Sequence, residues 1–72
     1  MTPLTKLIEW EHSNGYKAKF VAEKLGLSQS NYSAIKKGRI KPSLKMVDKL
    51  SKEFNMSIDD AIDLLRKETN ND

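Results

Sequence analysis

Residues 28–41 read SQSNYSAIKKGRIK and crowd a distinctive set of side chains into one run. Gln29 and Asn31 carry amides, which donate and accept at once. Ser28, Ser30 and Ser33 carry hydroxyls, which do either. Amides match the two-point donor–acceptor pattern on the edge of adenine, and hydroxyls suit either role. Ala34 offers a methyl that complements the methyl of thymine. Lys36, Lys37, Arg39 and Lys41 follow closely, with the charge needed to neutralise phosphates. The same run also suits an ordinary solvated helix face, so the elements that hold it decide between the two readings. His12 stands alone, with no recognisable partner acid, nucleophile or phosphate loop, and the chain reads as non-enzymatic.

Small polar residues are mediocre helix formers because they compete for backbone hydrogen bonds. A helix over this run therefore needs an N-cap and apolar anchors. Ser28 is a good N-cap, Tyr32 and Ile35 are the anchors, and Gly38 is a stop. Rotating Tyr32 and Ile35 inward leaves Gln29, Ser30, Asn31, Ser33 and Ala34 outward. The major groove is about 12 Å wide, enough for a helix whose outward side chains are short. The preceding helix runs from about Lys17 to Leu25, with Phe20 or Val21, then Ala22, then Leu25 inward. Only Gly26 and Leu27 separate the two helices, a connection tight enough for a helix-turn-helix. Ala22 is small enough for close crossing, and Gly26 can take the left-handed backbone.

Apolar residues recur at threes and fours elsewhere too, and no strand pattern is present, so the fold class is all-α with five helices. The first starts at Thr2-Pro3, buries Leu4, Leu7, Ile8 and Trp10, and stops at Asn14-Gly15. Ser43 caps a fourth helix with Leu44, Val47, Leu50 and Phe54 inward. Ser57 caps a fifth, with Asp60 in capping-box position and Ile58, Ala61, Ile62, Leu64 and Leu65 as its apolar residues. Trp10, Tyr32, Met46 and Met56 are expected to pack. Residues 1–66 form one domain, and 67–72 (KETNND) are expected to fray.

The 72 residues include no cysteine and one histidine, which argues against disulfides, thiolate sites and histidine metal clusters. No apolar run approaches the ~20 residues of a membrane span, and Glu9 and Glu11 make the N-terminus unlike a signal peptide. The expected location is the cytoplasm, in a bacterial host or on its nucleoid. Residues 1–45 hold nine Lys or Arg against three Glu, and residues 46–72 hold four basic against seven acidic side chains. The halves are thus +6 and −3, and a basic half suggests a polyanionic partner.

The stretch FVAEKLGLSQSNYSAIKKGRIKPSLKMVDKLSKEFNMSIDDAI resembles the lambda-repressor-like (Cro/CI-type, XRE) helix-turn-helix family. The resemblance extends over roughly residues 4–65. It rests on the spacing of Ala22, Gly26, Tyr32 and Ile35, on the Gly38 stop, on the Pro42-Ser43-Leu44 helix start, and on Met56-Ser57-Ile58-Asp59. It implies a compact five-helix domain that binds double-stranded operator DNA, usually as a homodimer. It also implies base reading by Gln29, Ser30, Asn31 and Ser33, with Ala34 a methyl contact, and phosphate contacts from Lys17, Lys19, Lys37, Arg39 and Lys41. The chain departs from the family pattern at four places. Ala18 stands where many phage members have glutamine, and Lys17 where many have a serine or threonine cap. Glu11 stands where an arginine is common, and Lys36 where a glutamate is common. A small Cro-type switch protein is the first expectation. A modulator that binds a phage repressor protein is the second. Neither requires a cofactor, a membrane or a small-molecule substrate.

Overall fold

The computed structural model describes residues 3–66, which form five helices: α1 (Thr5–Asn14), α2 (Ala18–Leu25), α3 (Gln29–Lys36), α4 (Leu44–Glu53) and α5 (Ile58–Leu64). No strand occurs among the described residues, as expected of an all-α chain. Thr2 and the tail 67–72 lie outside the described residues. Among those described, no helix is long and apolar enough to cross a membrane.

Local chemistry sets most helix starts. Ser28, Ser43 and Ser57 are extended N-caps, and each hydroxyl accepts from the backbone N–H three residues on, at Asn31, Met46 and Asp60. Each bond satisfies one of the otherwise orphaned donors of a first helical turn. At α5 the forward bond from Asp60 N to Ser57 Oγ is 3.0 Å, and Asp59 and Asp60 add negative charge beside the helix N-terminus. Between α2 and α3, Gly26 takes φ 72°, in the left-handed region, and Leu27 N donates to Ala22 O at 2.9 Å. The turn is therefore closed by backbone bonds that a non-glycine residue would strain.

α1 differs from the expected start at Thr2-Pro3. It begins at Thr5, with Leu4 as an N-cap that makes no side-chain bond. The reason is tertiary. Leu4 is fully buried, and its backbone N donates to Lys36 O at 2.8 Å. That bond ties the chain's entry to the last turn of α3, where carbonyls lack helical partners.

The core gathers Leu4 and Leu7 before and on α1, Val21, Ala22 and Leu25 on α2, Tyr32 and Ile35 on α3, Met46 and Leu50 on α4, and Ala61 with Leu65 at α5. α2 packs on α3 and α4, α1 on α3 and α5, and α4 on α5. Val21, not Phe20, is the inward residue of α2. Leu44, expected inward, is 86% exposed, whereas Met46, also expected to pack, is buried. The two are two positions apart, which puts them on opposite sides of a helix. Met46 and Leu50, spaced by four, form the buried stripe, with Val47 and Phe54 half-buried beside it. Ile58 and Ile62 also face outward, and Ala61 and Leu65 carry the α5 packing. Ile8 is half-buried.

An aromatic cluster extends the core outward. Trp10 lies 5.3 Å from Tyr16 and 5.0 Å from Phe54, ring centre to ring centre, both edge to face. Tyr16 also lies 5.3 Å from Phe20. Trp10 is thus a packing residue, and Tyr32 is fully buried.

Candidate nucleic-acid interface

The outward side of α3 opens into a depression of about 500 Å³ lined by Ala18, Gln29, Ser30, Ser33, Ala34, Lys37 and Arg39. The spacing explains the lining. On a helix, Gln29, Ser33 and Lys37 follow one row at intervals of four, and Ser30 and Ala34 follow the adjacent row. Four of the five residues expected to read bases therefore share one concave surface with two of the expected phosphate contacts. Asn31 is exposed but does not line that surface. It is two positions from Gln29 and from Ser33, so it projects from a different side of the helix.

Ala18 forms part of the wall. Where the resemblance led to the expectation of a glutamine, a methyl group leaves the depression open beside the α3 amide and hydroxyls. Lys17, the N-cap of α2, is extended and makes no side-chain cap bond. Lys17, Lys19 and Lys41 are exposed, away from the depression.

Lys36, grouped by sequence with the phosphate contacts, turns its ammonium back into the protein in the free chain. Lys36 Nζ donates to Glu11 Oε1 at 2.9 Å, with the two side chains only 16% and 5% exposed. The Tyr32 hydroxyl donates to Glu11 Oε2, and the Lys36 ammonium lies 4.9 Å from the Tyr32 ring centre. Glu11, Tyr32 and Lys36 thus form one buried polar knot between α1 and α3. Burial, then the hydrogen bond to Glu11 and its charge, push the Tyr32 phenol far above its ordinary pKa. No buried side-chain polar atom among the described residues lacks a partner. Glu11 and Lys36, two of the places where the chain departs from the pattern of the family it resembles, pair with each other.

The sequence offered no direct sign of this knot, because its partners lie 21 and 25 positions apart. One signal was present. Glu11 and Lys36 are departures of opposite sign from the pattern that the resemblance implies.

Two short helices joined by a glycine turn, the second capped by serine and offering a polar concave side, define a helix-turn-helix domain. The chain belongs to the helix-turn-helix family whose model matches residues 11–60, as its resemblance to the lambda-repressor-like type implied. A related protein from Methanocaldococcus jannaschii, described as an uncharacterized HTH-type transcriptional regulator, is 45% identical over 40 residues. That stretch covers 56% of this chain and 61% of the relative, so the chain spans about three fifths of the curated relative it matches. No solved structure matches it significantly.

Proposed function

We propose that the protein is a sequence-specific DNA-binding transcriptional regulator of the Cro/CI type, acting by operator occupancy in a phage-like genetic switch. The observation that carries this reading is the single concave surface shared by Gln29, Ser30, Ser33, Ala34, Lys37 and Arg39. In this mechanism α3 enters the major groove. Gln29 pairs with an adenine edge, the serine hydroxyls meet neighbouring edges, and the Ala34 methyl contacts thymine. Lys37 and Arg39 hold the flanking phosphates, with Lys17, Lys19 and Lys41 outside them, and these contacts fix register without reading sequence. Two copies on two half-sites about one helical turn apart supply the affinity that a single small module lacks. The bound dimer then blocks or recruits polymerase.

The test is binding to DNA from the gene's own promoter region and to scrambled duplexes. Gln29→Ala should cost about 1–3 kcal/mol on the preferred site and leave scrambled DNA unaffected. Equal losses on both would remove Gln29 from base reading.

Ala18 favours a second reading, a modulator that binds a phage repressor protein through the same fold. Without a glutamine there, the recognition helix has less support on DNA. Adding the neighbouring repressor separates the two. A protein that binds its promoter only weakly and without sequence preference, yet shifts the repressor's affinity for DNA, is a modulator.

A further inference from the structure

A second depression, of about 420 Å³, is lined by Gly15, Tyr16, Lys17, Lys19, Phe20 and Glu23 on the outward side of α2. Its floor is the edge of the aromatic cluster. Phe20 is 42% exposed although Val21 beside it is fully buried. Phe20 packs one side of its ring against Tyr16 and Phe54 and leaves the rest open, 200° around the helix from Ala22. The rim is cationic. Lys17 and Lys19 stand on it, and Lys24 Nζ lies 5.8 Å from the Phe20 ring centre. Glu23 is the one acidic residue of the lining. The ion pairs among the described residues are Lys6–Asp63, Lys36–Glu11 and Lys52–Asp48, so none engages these three lysines.

We infer that this groove seats an acidic segment of a partner protein, with an apolar side chain on Phe20 and carboxylates against Lys17, Lys19 and Lys24. An aromatic anchor in a pocket with a polar rim is the arrangement that concentrates binding energy at protein interfaces. The charge ratio selects an acidic partner over a basic one. A single-stranded nucleic acid fits less well. Single-strand binders stack successive bases on several aromatic side chains, whereas Phe20 is the one aromatic among the exposed large apolar residues described.

The test uses the full chain, labelled with nitrogen-15 and free of DNA, so that its failure leaves the duplex-reading proposal untouched. The probe is the synthetic peptide EELEWLEE, compared with the same peptide carrying glutamine for every glutamate. The expected result is amide shift changes centred on Gly15, Tyr16, Phe20 and Glu23. Affinity should fall about tenfold or more for the neutral peptide, for Phe20→Ala and for Lys24→Glu. Lys24→Glu alters only an exposed charge, so it keeps the test valid if Phe20→Ala unfolds. Changes centred on α3, equal binding of the neutral peptide, or tighter binding of an oligothymidylate at the same resonances would overturn the proposal. So would concentration-dependent self-association abolished by Lys24→Glu, which would make a second copy of the chain the occupant.

Discussion

At the scale of single residues, the Glu11–Tyr32–Lys36 knot ties α3 to α1 through one buried ion pair. Removing one partner of such a pair costs about 3–5 kcal/mol, because the other charge is left buried without compensation. Lys36→Met keeps the aliphatic stem and should therefore lower the melting temperature by more than about 12 °C, at roughly 4–8 °C per kcal/mol for a domain of this size. The exchange Glu11→Lys with Lys36→Glu restores the pair with its sign reversed. The Tyr32 hydroxyl serves either sign, since it both donates and accepts. The double exchange should recover most of what each single reversal loses, and urea unfolding of the four proteins measures that coupling. Strict additivity would mean that the two charges do not act together. The phenol makes a separate prediction. Its proton is held more tightly in the folded chain than in the unfolded one. The associated stability is thus fully present below pH ~10, the ordinary tyrosine value, and declines as pH rises above it, because the unfolded chain releases the proton first. An absorbance titration at alkaline pH should show one of the two tyrosines ionising only as helical circular dichroism is lost. Tyr32→Phe should flatten that decline. Ionisation of both tyrosines before any loss of helix would contradict the buried hydroxyl.

At the scale of elements, the features legible in the sequence were those decided locally. The caps at Ser28, Ser43 and Ser57 bond within three residues, and the glycine turn at Gly26 depends on one residue's backbone freedom, so each could be read from a short window. Helix rotation was harder. α4 carries both Leu44 and Met46, and either begins an apolar stripe, Leu44 through Val47 or Met46 through Leu50. Only packing against α2 and α5 decides between them. Phe20 and Val21 posed the same ambiguity on α2. The orientation of Lys36 depended on a carboxylate 25 positions away, and the start of α1 on a backbone bond to α3. On the outward side of α3, turning Tyr32 and Ile35 inward leaves Gln29, Ser30, Asn31, Ser33 and Ala34 exposed together, and the finer helical spacing separates Asn31 from the depression that the other four line. The α4 correction is measurable. Because Leu44 is 86% exposed, Leu44→Glu should change unfolding free energy by no more than about 0.5 kcal/mol. A charge at a buried leucine would instead cost several kcal/mol. Met46→Ala should cost about 2–5 kcal/mol, as truncation of a buried side chain does. A large loss at Leu44 with a small one at Met46 would return α4 to the rotation first expected.

At the scale of the whole molecule, charge placement sets how binding to DNA must respond to salt. Each phosphate neutralised releases condensed counterions, so log K falls against log salt with a slope of about −0.9 per contact on duplex DNA. With Lys36 withdrawn into the protein, the proposed contacts of one domain are Lys17, Lys19, Lys37, Arg39 and Lys41. Five contacts give a slope of about −4.5 for a single bound domain, and two domains on two half-sites give about −9. Residues 46–72, with seven acidic against four basic side chains, carry a net negative charge that does not favour further phosphate contacts. Lys37→Ala should reduce the slope by about 1 per domain while leaving the ranking of DNA sequences unchanged. Lys36→Met, measured at a temperature where the variant remains folded, should leave the slope as it is, because its ammonium is already paired with Glu11 at 2.9 Å. Fluorescence anisotropy over a salt series from about 50 to 200 mM reads all three slopes. A drop of about 1 for Lys36→Met would mean that Lys36 leaves Glu11 to reach a phosphate, so that the buried knot opens when the helix docks.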